Sequence, residues 1–435
     1  MEEKSVPKLL LKLAPPVMLA MLIASIYNIV DSYFVSSYSQ DGLTALSIIY
    51  PVQLLMTAVS TGVGSGINII VSRMDGMGDS HSQSRILKTG ILLGVIDYVI
   101  FTIIAMLTIG SFIRVSSNIT EVRTMGLQYS KIVILYSLGM FVEANCTKIL
   151  QAKGRMVLPM IAQVVGALIN IVLDPILIFG KCNFPEMGIE GAGISTVLGQ
   201  HMAMIIVLVA VLKSYSVKGK FSIKDSLSIY RLGLPSIVLQ ALYTVYIVGL
   251  NLVLKTFTED AVAVLGIYYK EQSFFIIPLI GLQQVILPII SYNYGANSPK
   301  RIQQTLWYSV GVSSVVMLIA NIVYTIIPDR LTEIFSNKPE VIHIGSHALS
   351  VISFSFVPLV FSMLMPVYFQ GINKAKYSIV LTVLRQVILF VPIAWILHYF
   401  GLYYVWFTFP ITDSITTITS LVMYGKENVK QLITT

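Results

Sequence analysis

The stretch 169–180, "INIVLDPILIFG", is apolar except for two polar residues one helical turn apart, Asn170 and Asp174. Pro175 follows directly and has no N–H, so a carbonyl group one turn earlier loses its helical partner. A carboxylate is costly in the centre of a membrane and usually serves a function there. The alternative is a structural role, in which Asp174 caps or hydrogen-bonds a neighbouring helix. The surrounding composition decides whether this run crosses a membrane.

The composition of the whole chain is that of an integral membrane protein. Its 435 residues are 55% hydrophobic and 11% charged, with a mean hydropathy of +0.80. Soluble domains carry about 25% charged residues. A spanning helix needs roughly 20 apolar residues, and runs of this kind recur along the chain, whereas a membrane β-barrel would show short alternating strands. The sequence therefore predicts an all-α polytopic membrane protein.

The apolar runs predict twelve transmembrane helices, with a polar, lysine-bearing segment after the sixth. We expect an N-terminal lobe at 1–212, a cytoplasmic linker at 213–229 and a C-terminal lobe at 230–435. The first run lacks a small-residue cleavage site, so it is predicted to be a retained helix. The twelve predicted helices lie near 12–36, 45–72, 88–111, 123–150, 157–180, 190–212, 230–256, 261–292, 303–327, 342–371, 376–399 and 402–424.

The second half of the chain repeats the first at a constant offset of 219 positions, which is the separation of Pro16 and Pro235. The same offset pairs Tyr27 with Tyr246, Tyr50 with Tyr269, Gly62 with Gly281, Ser72 with Ser291 and Gly76 with Gly295. Parallel repeats of this kind are typical of transporters, whose binding site lies between the halves and opens to either side in turn.

The net charge of +8 is explained by topology. If the N-terminus is cytoplasmic, most Lys and Arg residues fall in cytoplasmic segments, as the positive-inside rule requires, so both termini are predicted to be cytoplasmic and no nucleic-acid partner is expected. Two cysteines, Cys146 and Cys182, provide no disulfide framework. The absence of a Walker sequence and of catalytic Ser/His/Asp or zinc motifs argues against an enzyme, and no cofactor is expected.

Polar side chains at helical spacing occur on three helices of the predicted first half. Residues four apart share a helix face, so these stripes could converge inside one bundle. The residues concerned are Tyr27 and Asp31 in the first helix, Gln163, Asn170 and Asp174 in the fifth, and Thr196 and Gln200 in the sixth.

Two buried carboxyl groups in such a cluster would bind a proton or a sodium ion. A low dielectric favours the neutral, protonated form of an acid, and amide, hydroxyl and backbone oxygens could complete a shell around Na⁺. We therefore expect H⁺ or Na⁺ as coupling ion, with metal ligands only in the sodium case. That set is Asp31, Asn170, Asp174 and Thr196. The roles of Asp97, Glu143, Lys270, Glu271 and Asp413 stay open.

The repeat and several segments together resemble the multidrug and toxic compound extrusion (MATE) family. The resemblance implies twelve helices in two lobes that form a V, and export driven by inward H⁺ or Na⁺. The segments are "APPVMLAMLIASIYNIVDSYFV" (14–35), "TGVGSGINIIVSRMDGMGD" (61–79), "LQAKGRMVLPMIAQVVGALINIVLDPILIFG" (150–180), "MGIEGAGISTVLGQ" (187–200), "PLIGLQQVILPIISYNYGA" (278–296) and "QGINKAKYSIVLTVLRQVILFVPIAWIL" (370–397).

The resemblance also implies site residues. In a prokaryotic branch with damage-inducible (DinF-like) members, a cation site in the first lobe matches Asp31, Asn170, Asp174 and Thr196, with Tyr27 as a neighbour and Pro16 as a bend-forming proline. Another branch uses acids on helices 7 and 10. This sequence lacks those acids, which favours the first lobe.

The expected function is export of amphipathic, often cationic organic compounds across the cytoplasmic membrane of a prokaryote. The expected partners are these small molecules and membrane lipid, and the expected oligomeric state is a monomer. The alternative is a flippase for a lipid-linked precursor, which would need several basic residues facing a diphosphate. The deep basic residues are few: Lys131, Lys148, Lys270 and Arg385. A receptor or membrane enzyme has no supporting motif.

Overall fold

The computed structural model describes residues 5–434, except the side chains of His81 and of 428–434. Over this range the regular structure is helical, without a strand. The helices are α1 Val6–Tyr38, α2 Gln40–Met77, α3 Ser80–Ser116, α4 Thr120–Leu135, α5 Leu138–Ala152, α6 Val157–Ile178, α7 Gly188–Ser214, α8 Ile223–Lys255, α9 Glu259–Gly295, α10 Pro299–Ile326, α11 Pro328–Glu333, α12 Pro339–Ser353, α13 Phe356–Gly371, α14 Ala375–Val383, a π-helical segment Leu384–Leu389, α15 Phe390–His398, α16 Leu402–Val405 and α17 Thr408–Thr434.

The helices are long and apolar enough for a polytopic membrane protein. In the described part of the chain nine helices meet this condition, and two bent pairs raise the number to eleven when each pair counts as one span. The bent pairs are α4 with α5, at 46°, and α12 with α13, at 54°. The less apolar α17, the counterpart of α7 in the repeat, is not among these spans. The predicted all-α polytopic fold is confirmed.

The internal repeat is visible in where helices begin and end. The starts of α2 and α9, at Gln40 and Glu259, are separated by the same 219 positions as Pro16 and Pro235. The starts of α3 and α10, and those of α4 and α12, keep this separation, and each half contains one bent helix pair. The repeat found in the sequence is therefore a repeat of structure.

Two helices predicted as continuous, 123–150 and 342–371, are in fact bent. Each bend lies at an aromatic residue followed by serine, Tyr136–Ser137 in the first half and Phe354–Ser355 in the second. Both serine N–H groups donate to a carbonyl three residues earlier, at 3.3 Å for Ser137 and 2.8 Å for Ser355. These hydrogen bonds span three residues in place of the usual four and so interrupt the α-helix. The spacing of apolar residues in the sequence does not predict them.

The predicted linker 213–229 contains the start of α8, because 223–229 is helical. The polar composition of this segment suggested a loop. Ser222 stabilises the helix start, since its hydroxyl accepts a hydrogen bond of 3.2 Å from the backbone N–H of Asp225. The predicted helix at 376–399 likewise contains the π-helical segment, which periodicity does not reveal.

The described chain forms two compact units. The first comprises Leu11–Ile237 and Ser291–Asn297, and the second comprises 5–10, Val238–Ile290 and 298–434. The helices α1, α8 and α9 therefore contribute residues to both.

Close helix packing in the first unit depends on glycines. A Cβ atom at Gly66 of α2 would lie 2.0 Å from the carbonyl oxygen of Ile229, and one at Gly233 of α8 would lie 2.3 Å from that of Gly62. Real atoms do not approach so closely, so only glycine allows α2 and the start of α8 to pack at this distance. The segment "GVGSG" (62–66) is thus a surface for close helix packing.

Candidate cation site

Two glycines allow α6 and α7 to approach closely beside the predicted site. A Cβ atom at Gly199 would lie 2.5 Å from the carbonyl oxygen of Gly166, and one at Gly166 would lie 2.8 Å from that of Gly199. About one turn away, this packing brings polar side chains of the two helices together. They are Asn170, Asp174, Ser195 and Thr196, all of them buried.

These four side chains form one hydrogen-bond network. Asp174 Oδ1 accepts from the Ser195 hydroxyl and, at 3.4 Å, from Asn170 Nδ2. The same amide nitrogen lies 3.2 Å from Ser195 Oγ and 3.3 Å from Thr196 Oγ1. Pro175 does not end α6, which continues to Ile178. Predicted residues from two helices therefore meet in a network with one additional hydroxyl.

The third helix of the predicted site is α1, which contributes Asp31. This residue is buried, and its carboxyl group lies beside that of Asp174. Two like charges this close together disfavour ionisation of both acids at once. Tyr27 lies one turn before Asp31 on α1. The structure thus places the two acids in direct contact.

The donor atoms of the cluster fit a proton or a hard cation. Three buried oxygens in it have no hydrogen-bond partner: Asp31 Oδ1, Asn170 Oδ1 and Asp174 Oδ2. Carboxylate and amide oxygens are the ligands that hard cations prefer, and a carboxylate oxygen also accepts a proton. Among the side chains that the structure describes, this site included, no group of three or more His, Cys, Asp or Glu is placed to hold a metal ion.

The sequence did not predict Ser195 as a site residue, nor Tyr129 and its hydrogen-bond partner Gln53. Tyr129 of α4 is buried beside the Thr196 side chain and accepts a 3.1 Å hydrogen bond from Gln53 of α2. Successive helical residues point about 100° apart. The helical spacing that selects Thr196 as a residue facing the site therefore does not select its neighbour Ser195. No feature of the sequence around Tyr129 distinguishes it from other tyrosines of the chain.

Three predicted residues lie apart from the network. Within the described range, neither Gln163 nor Gln200 makes a side-chain hydrogen bond to it, although Gln200 Oε1 is buried without a partner. Pro16 lies in α1, which is assigned as one unbroken helix, 15 residues before Asp31. At about 1.5 Å per residue this is a separation of about 22 Å along the helix. Pro16 is therefore not a direct ligand.

Two acids with open roles have hydroxyl partners in the first unit. Asp97 of α3 accepts a hydrogen bond from the hydroxyl of Tyr230 in α8. Glu143 of α5 accepts one of 2.6 Å from Thr147 on the next turn. Both contacts are compatible with structural roles, and neither residue belongs to the network around Asp174.

In the second unit, Asp413 forms a buried ion pair with Arg385. Arg385 Nε lies 2.7 Å from Oδ1 of the acid, and Nη2 lies 3.3 Å from Oδ2. The Asp413 side chain is 1% exposed. The arginine comes from the π-helical segment Leu384–Leu389, and its guanidinium also lies 5.4 Å from the Phe390 ring centre. This bidentate geometry satisfies both charges internally.

The sequence model of the MatE family matches residues 16–176 and again 235–396. The chain belongs to the MatE family. Its members are MATE transporters, so this chain is a membrane transporter and not an enzyme. The two matched ranges follow the internal repeat, which confirms that each half is one copy of the family's unit.

Relatives of this MATE transporter include the FAD transporter of Shewanella oneidensis, 23% identical over 404 residues that cover 89% of this chain and 87% of the relative. The multidrug export protein MepA of Staphylococcus aureus is 24% identical over 434 residues, which cover 97% and 94% of the two chains.

Solved structures show the same fold. A multidrug resistance MATE family transporter in an outward-facing conformation matches with a TM-score of 0.90 at 23% identity, over 99% of this chain and 97% of the other. A MOP superfamily transporter from Pyrococcus furiosus also matches with a TM-score of 0.90 at 23% identity, over 99% and 98%.

Proposed function

We propose that this MATE transporter is a cation-coupled antiporter that exports amphipathic, often cationic organic compounds across the cytoplasmic membrane of a prokaryote. In this proposal it is a monomer with both termini in the cytoplasm. Lobes 1–212 and 230–435, joined by the linker 213–229, alternate in access. The contact between the carboxyl groups of Asp31 and Asp174 is the observation that carries the proposal.

The coupling follows from the charge of this pair. With H⁺ or Na⁺ bound among Asp31, Asn170, Asp174 and Thr196, the two acids stay together. Without the cation, two unit charges at about 4 Å repel by about 4 kcal/mol at an effective dielectric constant of about 20. A repulsion of this size favours separation of α1 from α6. The cation thus has different affinities for two conformations, which is the requirement for driving one into the other.

The substrate class is supported by the relatives and by the buried charges. MepA is named a multidrug export protein and the Shewanella relative an FAD transporter, so both names describe transport of organic molecules, and that of MepA describes export. A flippase would need basic residues free to bind a diphosphate. Arg385 is instead paired with Asp413, and Lys148 donates a 3.0 Å hydrogen bond to Gln151. The exporter is therefore the better supported proposal.

The test is ethidium efflux from proteoliposomes under a proton gradient and, separately, a sodium gradient. Asp31→Asn and Asp174→Asn keep the side-chain volume and remove the charge, so we expect both to abolish efflux driven by the gradient that powers the wild type. Glu259→Gln is the matched control, since its side chain is 79% exposed and far from the site in sequence.

Gradient-driven efflux that is undiminished in correctly folded Asp31→Asn and Asp174→Asn proteins would show that the pair does not couple transport. Efflux from the wild type under only one gradient identifies the coupling ion.

A further inference from the structure

One buried acid of the second unit has no charged partner. Glu271 of α9 is 5% exposed, and neither of its carboxylate oxygens makes a hydrogen bond of regular geometry. The two other buried acids of this unit differ, because Asp413 is paired with Arg385 and Glu427 with Lys374. No Lys, Arg or His of the described chain lies within ion-pair distance of Glu271.

The surroundings of Glu271 are aromatic. The hydroxyl of Tyr324, a fully buried residue of α10, lies beside its carboxyl group, although the two form no hydrogen bond of regular geometry. The Tyr324 ring in turn contacts those of Phe275 and Phe356, with ring centres 5.9 and 5.1 Å away. On its own helix the adjacent Lys270 does not offer a counter-charge, since its ammonium lies over the Phe335 ring at 5.9 Å.

An ionised carboxylate in these surroundings is costly, because a single hydroxyl that forms no regular hydrogen bond with it cannot replace its hydration. The neutral acid is the form that this packing accommodates. A proton needs no cavity, whereas a metal ion or an organic cation would need several ligands or an open space. Loss of the proton therefore requires a conformation that admits water or another donor to Glu271.

The internal repeat shows that the fold itself does not need an acid here. At the offset of 219 positions, Glu271 corresponds to Val52 of α2, and Tyr324 corresponds to Ala105 of α3. The first half thus packs apolar side chains where the second half places a carboxyl group and a hydroxyl. The carboxyl group of Glu271 and the hydroxyl of Tyr324 therefore occur in the second half alone, where they require burial of an acid.

We propose that Glu271 is a second proton-binding carboxyl group, which releases and rebinds its proton in each transport cycle. Tyr324 positions it by offering its hydroxyl to the carboxylate formed when the proton leaves. The inference rests on the proposed antiport, and it adds a proton carried by the second half to the cation bound at Asp31 and Asp174.

The experiment counts protons released when ethidium is added to purified, weakly buffered protein containing a pH-sensitive dye. With H⁺ as the ion of the Asp31–Asp174 pair, we expect Glu271→Gln to release half as many protons as the wild type, and Glu271→Gln combined with Asp31→Asn to release none; with Na⁺ at that pair, Glu271→Gln alone should release none. Tyr324→Phe should keep the count and slow the release. Glu259→Gln, on the same helix but exposed, is the control and should match the wild type.

The outcomes separate the two proposals. Release that is normal in Glu271→Gln but lost in Asp31→Asn overturns this inference and leaves the antiport intact. The reverse pattern supports Glu271 and shows that Asp31 carries no proton, which leaves Na⁺ as the ion of that pair. If the wild type releases no protons, Glu271 does not carry one in the transport cycle and the antiport is not coupled to protons.

Chemical modification keeps the test valid if Glu271→Gln fails to fold. Dicyclohexylcarbodiimide reacts with protonated carboxyl groups in apolar surroundings, so it should modify Glu271 in the wild type at neutral pH, as read by mass spectrometry of peptides. The modification should inhibit efflux. Absence of the adduct would contradict a protonated Glu271.

Discussion

Replacing Asp413 by asparagine should destabilise the second unit strongly. The substitution removes the charge that holds Arg385 through contacts of 2.7 and 3.3 Å, and the two side chains are only 1% and 14% exposed, so water cannot take its place. Breaking a buried pair in this way costs about 3–5 kcal/mol. Asparagine still offers one acceptor oxygen, which places the expected loss near the lower end, at about 3 kcal/mol.

Thermal unfolding in detergent measures this effect. With an unfolding entropy of about 2.1 cal/mol/K per residue, a loss of about 3 kcal/mol lowers the melting temperature by about 3–7 °C. The smaller value applies if the whole chain unfolds together and the larger if the second unit unfolds alone. The double substitution Arg385→Met/Asp413→Leu should recover most of the loss, because replacing both charges by apolar groups removes the uncompensated arginine.

Two results would refute this reasoning. One is a melting temperature of Asp413→Asn equal to that of the wild type, and the other is a double variant that melts as low as the single one. The exposed pair of Lys255 and Glu259, 3.9 Å apart, is the control. Glu259→Gln should change stability by less than about 1 kcal/mol.

Three further changes test other parts of the structure. Ser195→Ala removes a hydrogen bond that stabilises the ionised form of Asp174, worth about 1.5–3 kcal/mol, so the acid should bind its proton more tightly and half-maximal ethidium efflux should occur at an at least tenfold lower proton concentration. Gly66→Ala should lower the melting temperature or prevent assembly, since its Cβ would lie 2.0 Å from a carbonyl oxygen, whereas Gly110→Ala, with nothing within 4 Å, should not. A membrane-impermeant maleimide should label the exposed Cys182 in intact cells, because the loop after α6 lies outside when both termini are cytoplasmic.

Each of these expectations has an opposite result. An unchanged cation dependence of Ser195→Ala would remove that hydroxyl from the site. Equal melting temperatures of the Gly66→Ala and Gly110→Ala proteins would contradict the close packing of α2 on α8. Labelling of Cys182 only after the cells are opened would reverse the orientation of the chain.

The sequence was sufficient for the architecture because hydrophobicity and the repeat are properties of long segments. An offset that pairs Pro16 with Pro235 also pairs the starts of α2 and α9. The bends after α4 and α12 were not predictable, because they depend on single backbone hydrogen bonds at Ser137 and Ser355. A helix with one such bond replaced keeps the same pattern of apolar residues.

In the candidate site, the acids could be predicted from the sequence, but their hydrogen-bond partners could not. Asp31 and Asp174 stand out because a carboxyl group is rare in an apolar run. A serine in a helix usually bonds its own backbone, and Ser195 does so too, at 3.0 Å from the carbonyl of Ala192. Its contact with Asp174 depends on how α7 is rotated against α6, which side-chain packing determines. The pairing of Arg385 with Asp413 is likewise a matter of packing between distant segments.

The division of the chain into two units has a consequence for how it is made. A cut within 215–222, between α7 and α8, leaves neither fragment with a complete unit. The N-terminal fragment lacks 223–237 and Ser291–Asn297, and the C-terminal fragment lacks the opening residues of α1. Neither fragment would fold into a complete unit by itself. Both would have to be synthesised in the same cell, and each would be a target for proteolysis until the other arrived.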